Sequence, residues 1–382
     1  MRNTYRFSPD DFDVAALLAD LRRWVAVESP SHDRAAVNRM MDLAAGHAAR
    51  IGLSVTRHVT DDAHGDVVIA RNHDGSGPAA LLLAHLDTVH PVGTLDTSPW
   101  REEGERIYGP GIYDMKSGAL MALYAAAAIG TTAPLTIVFI PDEETGTFAG
   151  RSFVEALAPT ASAALVLEPA REGGKIVTAR RGGGHYMFNI IGRAAHSGTR
   201  PQDGRSAIRE AAKLILRLEA LNDPARGIGV NVGLIRGGTT RNTIPGTCTL
   251  EVDIRLPDPA AQAEVLAAID ALVPEDPDVR YDVTRQISRP PFAEDSGIRA
   301  LFARAAPIAA AMGYPLVAMA SGGGSDGNFT AALGVPTLDG LGPDGADAHS
   351  PNEHIFPATI APRLAMLANL VVALGQGESA PA

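Results

Sequence analysis

Only one cysteine, Cys248, occurs in the 382 residues, so no disulfide can close within the chain and nothing points to an oxidising compartment. It lies in a strand-like run, 247–256, where a small core residue is the expected reading rather than a nucleophile. Basic charge is also short. Lys and Arg number 33 against 44 Asp and Glu, leaving a formal charge of −11, which argues against a nucleic-acid partner but not against a small anionic substrate. Long apolar runs are missing too. The alanine-rich stretch around 120–128 is too short to span a bilayer, and no membrane segment is expected. The first 24 residues lack the uninterrupted apolar core of a signal peptide, so a cytoplasmic location is the default expectation. No internal repeat is visible. What remains is 46% hydrophobic and 20% charged, the composition of a globular chain with room for two domains.

Residues 13–27 carry Val14, Leu17, Leu18, Leu21 and Val25 at helical spacing, and 34–51 reads as a second helix. Strands are expected at 53–59, 67–71 and 79–86; the continuous run AALLLAHL suits a strand buried on both faces. A helix over 115–129, strand LTIVFI, a short helix near 148–157 and strand ALVLEP continue the alternation, which predicts an α/β layer with a mostly parallel sheet. Beyond residue 180 the order becomes strand 185–193, helix 206–221, strands 228–235 and 247–256, helix 260–272 and strand 279–287. That β-α-β-β-α-β order is ferredoxin-like. Turn-rich joins are expected at ARRGGGH and SRPPFAED. Helix 297–312, strands 316–320 and 337–341 and helix 359–374 then resume the first style. The economical organisation is one α/β domain, 1–180 with 292–382, interrupted by an inserted α+β domain, 181–291. The last residues, GQGESAPA, read as a loose tail.

Chemistry-bearing residues cluster at strand ends. In LLLAHLDTV, His85 and Asp87 sit two apart and point the same way; a hydrogen-bonded polar strand end is an equal reading. Asp114, in YGPGIYDMKSG, precedes a helix, where an aspartate is often only an N-cap. In IPDEETG, Asp142, Glu143 and Glu144 follow a buried strand, and adjacent carboxylates repel unless cations neutralise them. Glu168 in LVLEPA repeats an acid just past a buried strand, where open α/β sheets place their sites. His349 lies in the glycine-rich DGLGPDGADAHSPNEHI, with Glu353 and His354 nearby as capping or surface groups. Taken singly, each position is open.

Taken in order, the series H-x-D, GPGxxD, DEE, EP and a late H-S-x-x-E resembles the co-catalytic zinc family of glutamate carboxypeptidase, acetylornithine deacetylase, succinyl-diaminopimelate desuccinylase and the aminoacylases. The resemblance runs from about residue 80 to 355. It implies a zinc-peptidase catalytic domain with an inserted lid and dimerisation domain that opens and closes. It also implies two Zn2+, with Co2+ or Mn2+ also acceptable to such donors. By the same resemblance His85 and Glu168 bind one metal, Glu144 and His349 the other, and Asp114 bridges. Glu143 is then the general base, Asp87 orients His85, and the peptide after Asp114 is cis.

In the inserted segment GRAAHSG supplies His196, GGTTRNTIP supplies Asn242 and LEVDIR supplies Arg255. As isolated residues these are a loop histidine, a turn former and a surface charge. The resemblance makes His196 the oxyanion donor, often from the dimer mate, and gives Asn242 and Arg255 the substrate carboxylate. ARRGGGHY, SRPPF and SGGGSDGNF are most similar to the glutamate carboxypeptidase branch. Arg289 in SRPPF is a candidate second cation for an acidic side chain, or equally a surface arginine near a join. The expected activity is therefore hydrolysis of an amide, releasing a C-terminal amino acid such as glutamate from a small N-acyl or peptide substrate. Deacylation of the acetylornithine or succinyl-diaminopimelate kind is the enzyme alternative, a non-catalytic binding protein the remote one. A homodimer through the inserted domain is expected.

Overall fold

The computed structural model describes residues 5–171 and 173–376. Backbone contacts divide the chain into two compact units: Met1–Ala179 with Glu294–Ser321 and Ser325–Ala382, and Arg180–Ala293 with Gly322–Gly324.

The first unit is built on a six-stranded sheet in the order Ser54–His58, Val67–Arg71, Leu135–Ile140, Ala79–His85, Ala161–Val166, Thr337–Leu338. The last four strands run parallel, and the first two are joined antiparallel, so the sheet is mixed and mostly parallel. Every residue of Ala79–His85 and Leu135–Ile140 is buried, as two covered faces require. Leu81, Leu83, Val138, Ile140, Val154, Val166 and Phe329 pack together on one face. Burial of each such side chain is worth about 1.5–3 kcal/mol. Helices Val14–Val25, Arg34–Arg50 and Ser296–Ala311 start at aspartate caps, where Asp13, Asp33 and Asp295 accept from Ala16 N, Ala36 N and Ile298 N. Helix Ser117–Ile129 has ten of its thirteen residues buried, which marks a core helix rather than an amphipathic one. It lies so close to the end of strand Ala161–Val166 that a Cβ on Gly118 would stand 1.9 Å from Leu167 O.

A membrane-length apolar element does exist, contrary to the expectation from sequence. Pro357–Gly375 has a mean hydropathy of 1.6 over a span-length window, but 61% of that window is buried inside the protein. Leu364, Leu367, Leu370 and Val371 within it are fully buried, so its apolarity serves the core. The tail expected at 375–382 falls, from residue 377 onward, outside the described residues; Gly375 still closes the last helix.

The second unit carries a four-stranded antiparallel sheet in the order Gly229–Gly237, Thr247–Leu256, Gly182–Ile191, Arg280–Arg289. Helices Ala207–Glu219 and Pro259–Asp270 complete a ferredoxin-like arrangement. Thr247–Leu256 alternates strictly, with Cys248, Leu250, Val252, Ile254 and Leu256 buried. These pack with Tyr186, Phe188, Ile190, Leu214 and Leu218 into one core, and Cys248 is a buried free thiol there.

The segment ARRGGGH is not a turn. Ile176–Arg180 and Gly182–Ile191 are both strands, separated by Arg181 alone. Its glycines serve close approach: a Cβ on Gly182 would lie 2.6 Å from Pro291 N, and one on Gly184 2.7 Å from Gln286 O.

Candidate metal centre

Strands Ala79–His85, Leu135–Ile140 and Ala161–Val166 are parallel neighbours, so their carboxyl ends open on one edge of the sheet. His85 and Asp87, then Glu143 and Glu144, then Glu168 follow those three ends in turn. The remaining two residues arrive on loops. Asp114 precedes helix Ser117–Ile129, and the Asp114–Met115 peptide is cis. His349 has φ +64, a left-handed backbone uncommon outside glycine.

Two triads form. His85, Asp114 and Glu168 make one and Asp114, Glu144 and His349 the other, each with ligand atoms within 4.8 Å of one another. Asp114 offers one oxygen to each: Oδ1 lies 3.1 Å from His85 Nε2 and Oδ2 lies 3.4 Å from His349 Nε2. Glu168 Oε1 is 3.6 Å from His85 Nε2, and Glu144 Oε2 is 3.3 Å from His349 Nε2. His85 Nδ1 donates to the Asp87 carbonyl at 3.0 Å. A carbonyl only accepts, so Nε2 is the nitrogen turned to the carboxylates.

The electrostatics are those of an anionic nest. Burial disfavours a charged His85, yet the Asp114 and Asp87 carboxylates hold its pKa well above the usual imidazole value. Burial also works against Asp114 as an anion, but hydrogen bonds from His349 and His85 keep it well below the carboxylate range. Contacts with Asp114 and Glu144 raise His349 to about 10. Burial pushes Glu144 up to about 7. Protons here do what cations would do. Glu144 Oε1 is moreover buried with no hydrogen-bond partner, an arrangement costly unless a cation takes it. Two imidazoles and three carboxylates, one with an oxygen for each side, therefore fit a pair of divalent cations held by nitrogen and oxygen.

Asp87 does more than face His85. Its Oδ1 is 3.4 Å from His85 Nδ1, whereas the carboxylate accepts Glu143 N at 3.0 Å, Glu144 N at 3.1 Å and Ser31 Oγ at 2.6 Å. It thereby fixes the turn that carries Glu143 and Glu144. Sequence reasoning missed Ser31, and it placed Glu353 among capping or surface groups. Glu353 is 1% exposed and accepts from Gly111 N, Tyr113 N and Asp114 N at 3.1, 2.9 and 3.0 Å. Its partner His90 was missed as well. Asp326, singled out only as part of a glycine-rich loop, is buried and accepts from Thr147 Oγ1 at 2.6 Å.

The other candidates lie in the second unit. His196 pairs with Thr243 in a two-stranded ladder, and just beyond it Asn242 O accepts from Ser197 N at 3.0 Å. His196 Nδ1 accepts from Gly198 N and Thr199 N at 3.1 and 3.2 Å, which leaves Nε2 as the protonated nitrogen. Arg255 and Arg289 both stand opposite Gly183, one on each flanking strand, with a register break just before Arg289; a Cβ on Gly183 would meet the Arg255 guanidinium at 3.1 Å and Ser288 Oγ at 3.7 Å. Arg255 also chelates Asp253 through Nε at 2.9 Å and Nη2 at 3.0 Å.

Residues 81–373 match the model of Peptidase family M20/M25/M40. The chain is 30% identical over 394 residues to carboxypeptidase G2 of Pseudomonas sp. (strain RS-16), covering 99% of this chain and 94% of that one. It is 34% identical over 262 residues to acetylornithine deacetylase of Myxococcus xanthus, covering 63% and 67%. Among solved structures, the aminopeptidase PepT of Bacillus cereus ATCC 10987 superposes with a TM-score of 0.75 at 21% identity, covering 95% of this chain and 99% of that one. An M20 family metallo-carboxypeptidase from Sulfolobus solfataricus does so with 0.71 at 16% identity, covering 94% and 99%; at such identities these two establish the fold. The chain belongs to peptidase family M20/M25/M40 and is a hydrolytic enzyme of its metal-dependent peptidase and amidohydrolase kind.

Proposed function

We propose that this enzyme is a di-zinc hydrolase that frees a C-terminal amino acid, with glutamate the first candidate, from a small N-acyl or peptide substrate. The observation that carries the reading is the pair of triads sharing Asp114, with Glu143 beside them on a turn tied to Asp87. His85 with Glu168, and Glu144 with His349, would hold the two ions, bridged by Asp114. Such ions supply Lewis acidity, polarising the scissile carbonyl and making water a better acid.

The chain's own groups do the rest. Glu143, partly exposed, takes a proton from the attacking water and returns it to the leaving nitrogen. His196 donates from Nε2 to the developing oxyanion. Asn242 directs its amide nitrogen, bonded to nothing among the described residues, to the substrate carboxylate. Arg255 joins it, its guanidinium giving fixed charge and planar donors. Arg289, opposite Gly183 on the other flanking strand, is the candidate for an acidic side chain. The near full-length similarity to a carboxypeptidase supports this branch over deacylation. We further propose a homodimer through the second unit. Gly229–Gly237 is an edge strand, and Leu234, Ile235 and Leu216 are exposed nearby in the chain.

The test is a substrate panel on the zinc-loaded enzyme: N-acyl-glutamate, N-acyl-aspartate, neutral N-acyl amino acids, N-acetylornithine and N-succinyl-diaminopimelate. The highest kcat/KM is expected for N-acyl-glutamate. Preference for N-acetylornithine or N-succinyl-diaminopimelate would overturn the substrate assignment.

A further inference from the structure

The Glu353 carboxylate is buried, and three of its four partners are amides of one turn. Oε1 accepts from Tyr113 N at 2.9 Å and Asp114 N at 3.0 Å, while Oε2 accepts from Gly111 N at 3.1 Å and meets His90 Nε2 at 2.6 Å. The backbone around it is tied to the same region. Gly109 N donates to Glu353 O at 3.2 Å, and the adjoining strand His354–Ile355 pairs with Ile107 and Tyr108. Glu353 stands four residues after His349, so one short segment delivers both a candidate ligand and this clamp. His90 follows His85 and Asp87 on the neighbouring loop. Three loops bearing candidate ligands therefore converge on a single carboxylate, 1% exposed, whose hydrogen bonds run to backbone amides and to His90.

We propose that Glu353 and His90 form a positioning pair that sets the backbone of Asp114 and thereby the affinity of both metal sites at once. This rests on the assignment of Asp114 as the shared ligand. Three backbone donors fix where the Asp114 Cα stands, and only from there can Oδ1 face His85 while Oδ2 faces His349. A glutamine at 353 has a single acceptor oxygen and must abandon either the Tyr113–Asp114 pair of amides or the Gly111 amide. The displacement is small, but a ligand that serves two ions transmits it to both. His90 keeps the carboxylate from rotating off its amides.

Metal affinity, rather than turnover, reads this directly. Zinc content and dissociation constants would be measured by competition with a chromophoric chelator on wild type, Glu353→Gln, His90→Leu and His90→Gln. Glu210→Gln serves as control: Glu210 is likewise buried, accepts Glu275 N at 2.6 Å, and lies in the second unit. Expected is a loss of about 10–100-fold in affinity at both sites for Glu353→Gln. A smaller loss in the same sense is expected for His90→Leu, recovered in His90→Gln, which keeps an N–H donor. Glu210→Gln should lower thermal stability with no change in affinity. Should Glu353→Gln fail to fold, His90→Leu, which leaves the three amide bonds in place, decides the matter. Wild-type affinity at both sites in the folded Glu353 or His90 variants, or an equal loss in Glu210→Gln, overturns the proposal. If the metal-ligand assignment itself is wrong, Asp114→Ala retains both ions, a distinguishable result.

Discussion

The candidate metal ligands and the candidate substrate contacts are held in opposite ways. In the first unit His85, Asp87, Asp114 and Glu168 are each less than a tenth exposed, and their oxygens and nitrogens face one another or backbone amides. In the second unit His196, Asn242 and Arg255 are exposed, and their side chains bond to residues two or three positions away. The first arrangement is pre-organised during folding, where buried like charges are tolerated only as part of a fixed network. The second keeps its donors in water until a substrate arrives. Chemistry that must be geometrically exact sits on strand ends of a rigid sheet, and recognition that must suit a ligand sits on a surface.

Mutation in each unit should therefore read differently. The largest effect is expected for Glu143→Gln: kcat falls by about 10²–10⁴, while zinc content and Tm stay at wild type. Retained turnover would remove Glu143 from the mechanism. Asp87→Asn comes next. One of its oxygens becomes a donor facing the amides of Glu143 and Glu144, so a destabilisation of about 1–3 kcal/mol should accompany a fall in kcat. An unchanged denaturation midpoint would show that the turn holds itself. In the second unit, Arg255→Ala and Asn242→Ala should raise KM by about tenfold or more, the loss of a charged or neutral hydrogen bond to a carboxylate, with Tm unmoved. A fall in Tm instead of a rise in KM would make these residues structural and erase the contrast.

The smallest effect concerns the metal-free protein. His349 is raised to about 10, above its ordinary 6.5, so its contribution is complete below pH 6.5 and is lost as pH climbs towards 10. Glu144 is raised to about 7 from 4.5. The folded state again binds the proton more tightly, and stability again falls, here from pH 4.5 towards 7. Both signs agree. The chelated protein should lose a few degrees of Tm, roughly, between pH 5 and 9, less than the shifts alone suggest because His349 is half exposed. The zinc-loaded protein should instead weaken on acidification, as protons displace metal. Scanning calorimetry across that range, with and without chelator, tests the crossing.

How legible this was from sequence depended on what each residue answers to. Strand ends were legible because an all-apolar run that stops at an ionisable side chain marks where a buried strand reaches the edge of its sheet; His85, Glu144 and Glu168 follow that rule. Both layers of the fold could be read for the same reason, from period-two and continuous apolar runs. Glu353 could not be placed, since its meaning lies in His90, 263 positions away, and in amides that carry no sequence signal. The glycines at 182–184 misled because glycine marks a turn and a crowded strand equally well; only the neighbours Pro291 and Gln286 decide between them. Helix Pro357–Gly375 likewise gains its meaning from what covers it.

The two triads also differ in how well they are sealed. His85, Asp114 and Glu168 are all buried, whereas the second set ends in His349, whose side chain is half exposed. An ion held by the first set would be enclosed by buried side chains, whereas one held by the second would have a half-exposed imidazole among its ligands. Exchange should therefore be stepwise and slow at one position, so gentle stripping would yield a long-lived half-loaded species. Re-addition of a different cation to that species would write a heterometallic pair with a defined order.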